Sequence, residues 1–233
     1  MGIQPDGSDA ILRFMRSQPL FEGMTQASLA TVARTSRFKK VPKGSFLFFQ
    51  NDGANAVYVV RRGAIAIQLQ DPDGRELIIN EMGPGDCLGE LSILTGRPRS
   101  TSAEAILDSD VLRIPRNVFL RLVRQEPQFA RRLLEVTAER LQDSSRREEA
   151  LAFHDAEQRV AGLLLTLDAT SGDKDYLSLS HEELAQRAGL TRQTVSTILG
   201  RWRRRGWLLT GRGHIVLLNR NELHLLIDQL ELA

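Results

Sequence analysis

Apolar residues along this chain change their spacing twice. Between residues 9 and 36 they recur at helical intervals, as Ile11, Leu12 and Met15 and then Leu29, Val32 and Ala33, which predicts helix over the stretch. From 38 to 118 the pattern turns into short runs that alternate apolar with polar positions: SFLFF, AVYVV, AIAIQL, ELIIN and DVLRI. Glycines separate them, at Gly44, Gly53, Gly63, Gly74, Gly83, Gly85, Gly89 and Gly96. Many short strands at such regular spacing predict an antiparallel barrel or roll, with Asp73-Gly74 turning a hairpin between AIAIQL and ELIIN.

Helical spacing returns at Asn117. Residues 128–153 hold no Gly or Pro and carry Leu134, Ala138, Leu141, Ser145, Glu148 and Ala152 at three-four intervals. This is a heptad-like seam of the kind that pairs two long helices, interrupted at its middle by Ser144 and Ser145. Another helix is expected over 154–170, then a loop, SGDKDY, over 171–176. HEELAQRA and TRQTVSTILGRWRR are two further helical runs that meet at Gly189. WLLTGRGHIVLL predicts a hairpin turning at Gly211-Arg212-Gly213, and 220–232 a last helix packed through Leu223, Leu226 and Leu230. The chain thus reads as an α+β fold in three segments: a β-rich segment 1–127, a long helix 128–154 and a mostly helical segment 155–233.

Composition narrows the setting. With 233 residues there is room for two domains, and 42% hydrophobic residues suits packed cores. No stretch of about 18 apolar residues exists, so no membrane partner is expected. The start, MGIQPDGSDAILRFMR, lacks the basic and then apolar run of a secretion signal. One cysteine, Cys87, cannot close an internal disulfide, which suits a reducing cytoplasm, and cannot by itself hold an iron–sulfur cluster. It reads as a small core residue.

A net charge of +2 says little, but its distribution does. From Arg187 to Arg220 there are eight arginines and no Asp or Glu. They lie on and beside the pair of helical runs at 181–200. In that pair Ala185 is small where two helices should touch, and Leu184, Leu190, Val195 and Ile198 have the spacing that locks them together. Gly189 falls where the turn needs a positive φ. Ser180 and Glu183 make a capping-box pattern, and Thr191 can cap the second helix. Arg192, Gln193 and Thr194 then occupy its first turn, the part of a helix-turn-helix that meets base edges in the major groove of double-stranded DNA. The arginine run fits phosphate neutralisation better than a merely solvated face.

A second constellation sits in the β-rich segment, at GPGDCLGELSILTGRPRSTSAEA. Gly89 lets a ligand approach the backbone, Glu90 can accept from a sugar hydroxyl, and Arg99 beside Ser100 can hold a phosphate. Acid and base at this spacing suit a nucleotide; a Glu–Arg ion pair in a turn is the plain alternative. The segment resembles the phosphate-binding cassette of cyclic nucleotide-binding domains, here Gly89-Glu90-Leu91 and Pro98-Arg99-Ser100-Thr101. With the downstream helix-turn-helix, the chain from about 20 to 220 resembles the catabolite activator (cyclic AMP receptor) and fumarate–nitrate regulator family.

The resemblance implies an N-terminal cyclic nucleotide-binding β-roll, a dimerisation helix and a C-terminal winged helix-turn-helix. It implies a homodimer that binds a palindromic operator, works with RNA polymerase, and takes cAMP as effector, with cGMP, another effector or none as alternatives. Gly89, Glu90 and Leu91 would bind the ribose, Arg99 and Ser100 the cyclic phosphate. A gapless count from Arg99 carries the family's base-contacting Thr-Ser pair onto Ser144 and Ser145, and its Ala-Phe-x-Asp hinge onto Ala152-Phe153-His154-Asp155. Thr137 ranks second for the base contact. At the DNA, Arg192 would pair with guanine, Gln193 replaces a cytosine-reading glutamate, and Thr194 would bind phosphate. Thr197 stands short where the family has arginine, so Ser196 or Gln193 would compensate. Arg201, Arg203, Arg204 and Arg212 read equally as phosphate contacts or solvated charges. All four histidines, at 154, 181, 214 and 224, lie outside the β-rich segment, so neither haem nor another metal is expected. An enzyme is disfavoured too, since no nucleophile–base pair accompanies Glu90, and the DNA-binding half argues against a subunit of a kinase or channel.

Overall fold

A computed structural model describes residues 7–70, 76–153, 155–171 and 175–228, with the side chains of 146–153 and of 228 left aside. The chain divides into two compact units, Met1–Leu141 and Gln142–Ala233. The expected Asp73-Gly74 turn, Leu230, and the side chains of Glu148, Ala152 and His154 lie outside the described residues.

The first unit opens with α1 (Gly7–Arg16) and α2 (Gln26–Thr35). The helical stretch expected over 9–36 is divided between them. Pro19 begins a single 3₁₀ turn, Pro19–Phe21, Gly23 takes φ +78°, and Thr25 caps α2 by accepting from the Ser28 amide. Eight strands follow: β1 (Arg37–Val41), β2 (Phe46–Phe48), β3 (Ala56–Arg62), β4 (Ile65–Gln70), β5 (Glu76–Met82), β6 (Cys87–Leu88), then, after the short helix α3 (Glu90–Thr95), β7 (Ser102–Ala105) and β8 (Ser109–Pro115). They form two antiparallel four-stranded sheets, ordered β1-β8-β3-β6 and β2-β7-β4-β5.

The run AVYVV, expected as a strand, lies in β3, and all five of its residues are buried. Ala56, Tyr58 and Val60 point into the roll with Ile65, Leu88 and Val111. Val57 and Val59 point the other way, into a second core with Leu112, Ile114, Phe119 and Phe129. Period-two alternation therefore persists in direction while polarity does not alternate, because helices cover the outer face. Those helices are α1, α2, α4 (Arg116–Gln125) and the start of α5 (Pro127–Phe153).

The second unit holds the rest of α5, then α6 (Ala156–Thr170), α7 (His181–Ala188), α8 (Arg192–Arg204), β9 (Leu208–Gly211), β10 (His214–Leu217) and α9 (Arg220–Asp228). Asp155 and Gln158 close a capping box on α6. β9 and β10 pair antiparallel around Arg212-Gly213, and Leu177 makes a separate antiparallel bridge to Ile215. The core of this unit gathers Leu164, Leu184, Leu199, Trp202, Leu208 and Leu223. Among the described residues no helix is long and apolar enough to cross a membrane.

Candidate nucleotide site and nucleic-acid interface

The cassette is built on the β6–α3 junction and the chain leading into β7. Gly89 adopts φ +80°, and a Cβ placed there would run into the Arg99 guanidinium, so two independent constraints demand glycine. Arg99 is only 2% exposed. Its Nη1 donates to the Gly89 carbonyl and its Nη2 to the Ala56 carbonyl, each at 2.6 Å. The guanidinium lies over the Phe48 ring at 4.1 Å, a cation–π contact. Its backbone is pinned as well: Asn51 N donates to the Arg99 carbonyl at 2.8 Å and Arg99 N to the Asp52 carbonyl at 2.9 Å. Burial holds its pKa below the usual arginine value, with Glu90 among the charges acting the other way. Its Nε is buried without an acceptor, a donor still to be satisfied.

Glu90 is equally enclosed, at 4% exposure, and burial pushes its carboxyl above the ordinary range. The opposing influence comes from Arg140 on α5, whose Nη1 donates to Glu90 Oε1 at 3.0 Å while Nη2 lies 3.5 Å from Asp86. Sequence reasoning missed Arg140. It is one of several arginines on α5, and nothing local in the chain sets it apart. Cys87 is buried at the same junction, and burial first, then the Glu90 charge, drive its thiol pKa well up, away from a reactive thiolate.

The structure thus brings Gly89, Glu90 and Arg99 together. Leu91 and Ser100 are exposed beside them. Ser144 and Ser145 are exposed on the part of α5 that belongs to the second unit. Thr137 donates its hydroxyl to the Leu133 carbonyl at 2.7 Å, within its own helix. The chemistry of the cassette fits a cyclic nucleotide: a carboxylate to accept from a sugar hydroxyl and a buried guanidinium with an unspent donor.

In the second unit, α7 and α8 meet as expected. Ser180 and Glu183 form the reciprocal capping box and Gly189 turns the chain at φ +64°. Leu184, Ala185, Val195 and Ile198 are buried between the helices. Thr191 Oγ1 accepts from the Thr194 amide at 3.1 Å and lies 2.8 Å from the Thr194 hydroxyl, so these two threonines fix the first turn of α8. Arg192 and Gln193 are exposed on that turn. Thr197 is exposed, but its hydroxyl donates to the Gln193 carbonyl at 2.9 Å. Ser196 is half-buried with its hydroxyl 2.9 Å from His181 Nδ1, joining the two helices. Burial, and then the Arg192 charge, hold the His181 pKa below its ordinary value. Arg203, Arg204 and Arg212 are exposed. Arg201 pairs with Glu157 of α6 at 2.7 Å, a partner that its sequence neighbourhood did not reveal.

Comparison with known proteins agrees with this geometry. Residues 38–126 match the cyclic nucleotide-binding domain, and residues 158–226 match the Crp-like helix-turn-helix domain. The chain is 32% identical to the cyclic AMP receptor protein of Thermus thermophilus, over 86% of this chain and 93% of that one. It is 31% identical to the CRP-like cAMP-activated global transcriptional regulator of Mycobacterium tuberculosis, over 84% and 91%. Its fold is also that of the c-di-GMP responsive global regulator CLP of Xanthomonas campestris, with a TM-score of 0.75 at 22% identity over 83% of this chain and 99% of that one. A cyclic nucleotide-binding domain followed by a DNA-binding helix-turn-helix defines a class, the effector-type transcriptional regulators, and not an enzyme. Within that class the chain belongs to the Crp/Fnr family.

Proposed function

We propose that this regulator is a homodimer whose grip on a two-fold symmetric operator is set by cAMP bound in the cassette. The observation that carries the effector half is the buried pair Glu90 and Arg99, with Arg99 Nε lacking an acceptor. Glu90 accepts a ribose hydroxyl and Arg99 with Ser100 the cyclic phosphate. Because Glu90 is tied to Arg140, a ligand that draws on the Glu90 carboxylate also acts on the long helix. Ser144 and Ser145 supply hydroxyls to the base from further along it.

The dimer is supported by the seam of α5. Leu134 and Leu141 are 69% and 68% exposed, and Ala138 between them is exposed too. Apolar residues at 4-3 spacing on an exposed helix face suit a second copy of the same helix. The three working segments are then the effector domain 1–127, the dimerisation helix 128–154 and the DNA-binding domain 155–233. On the operator, Arg192 pairs with guanine and Thr194 meets phosphate. Gln193 reads a base with its amide, and Arg203, Arg204 and Arg212 neutralise backbone charge. Transcription is controlled through RNA polymerase, as the family resemblance implies. Effector action is a population shift: cAMP binds the DNA-competent arrangement more tightly than the other and enriches it.

Isothermal titration of the full chain with cAMP, cGMP and c-di-GMP tests the effector. One cAMP per chain is expected, with cGMP and c-di-GMP weaker by at least about tenfold, or about 1.4 kcal/mol. Tighter binding of either competitor, or no heat with any of them, overturns cAMP.

A further inference from the structure

Glu157 stands beside the DNA-facing helix, where a carboxylate is unwelcome next to a phosphate backbone. It shares a cleft of about 530 Å³ with Asp155, Thr191, Gln193, Thr197 and Arg201, four of them residues expected at DNA. Asp155 spends its carboxylate on the N-cap of α6, accepting from the Gln158 amide at 2.9 Å. Glu157 does something else. Its Oε2 accepts from the Trp202 indole N–H at 3.1 Å, and its Oε1 pairs with Arg201 Nη1 at 2.7 Å. Trp202 is fully buried in the core of the unit. The carboxylate is therefore anchored from behind and cannot follow Arg201 outward. Arg201 can reach a phosphate only by leaving it.

We infer that Glu157 withholds Arg201 from the DNA backbone, so that the sequence-independent part of binding is weakened while base contacts made by Arg192 are untouched. The inference rests on α8 being the DNA-contacting helix. The physical reason is additive. Each cation brought to a phosphate steepens the salt dependence of binding by about 0.9 in log K against log salt and strengthens every DNA site alike. Specificity is the ratio of operator to non-operator affinity. A cation held back lowers operator and non-operator affinity by the same factor, so the ratio is kept while the absolute grip and its salt dependence fall. Of the eight arginines from 187 to 220, Arg201 is not alone in being tied: Arg220 forks onto Asp168 at 2.6 and 2.9 Å. Arg201 differs in lying on α8 itself, on the cleft that holds Thr191 and Gln193.

The test uses the full chain, with and without cAMP, on a scrambled duplex and on a duplex selected from random sequence. Glu157→Gln, Arg201→Gln and the double variant are compared with the unaltered chain, and affinity is followed against salt. Glutamine keeps an acceptor for the Trp202 indole. Both tryptophans of the chain lie in this unit, so their emission checks its packing. Glu157→Gln is expected to bind scrambled DNA roughly three- to tenfold tighter at 0.1 M salt, with a slope steeper by about 0.9. Its ratio of selected to scrambled affinity should stay that of the unaltered chain, since both duplexes gain the same phosphate contact. Arg201→Gln should match the unaltered chain in slope, and the double variant should return to it. The inference is overturned if Arg201→Gln alone flattens the slope by about 0.9, since Arg201 would already be on phosphate. It is equally overturned if the double variant keeps the gain, since lost repulsion from Glu157 would then explain it. An unaltered chain that binds neither duplex would instead remove the DNA-contacting role of α8 itself.

Discussion

Gly89 and Arg99 interlock. The glycine carbonyl accepts from the guanidinium, and a Cβ on the glycine would occupy the guanidinium's place. Gly89→Ala should therefore displace Arg99 as well as strain a backbone at φ +80°. Loss of cyclic nucleotide binding by titration is expected, with a stability loss of about 1–3 kcal/mol in denaturant unfolding. Retention of full affinity would mean that Arg99 does not hold the phosphate. The cassette itself was legible in the chain, because Gly89, Glu90 and Arg99 are close in sequence and their chemistry is local. Arg140 and Glu157 were not. Each acquires its role from a partner about 45–50 residues away, Arg140 through Glu90 and Glu157 through Arg201 and Trp202. No spacing rule reaches that far. Ser196 shows the reverse case: a residue placed among base readers by its position has its hydroxyl beside His181.

The elements that could be read most directly were those whose ends carry their own chemistry. Ser180 with Glu183, Thr191 and Gly189 bound α7 and α8 where the capping and turn residues stand. The break between α1 and α2 was missed. Strand β3 was read as a strand although both of its faces are buried, whereas before α2 the helical spacing ran on through Pro19 and Gly23, which interrupt it. The seam on α5 carries a prediction of its own. Leu134→Glu places a charge on an exposed apolar position opposite its own copy in the proposed dimer. Sedimentation velocity should show a shift from dimer to monomer, with the far-UV spectrum unchanged. A dimer that persists would place the interface on another surface.

At the level of the whole molecule, α5 begins in the first compact unit and ends in the second. Composition and charge alone gave no hint of such linkage. The Glu90–Arg140 pair joins the cassette to the part of that helix that lies in the first unit. If cAMP favours the DNA-competent arrangement, linkage requires the operator to tighten cAMP by the same factor that cAMP tightens the operator. The most direct measurement is therefore fluorescence anisotropy of a labelled, selected operator titrated with the full chain, with and without saturating cAMP. Affinity is expected to rise at least about tenfold with cAMP, within the 5–150-fold range of ordinary coupling. Equal affinity in the two titrations, with cAMP shown by titration to bind the chain, would contradict control of DNA binding by this nucleotide.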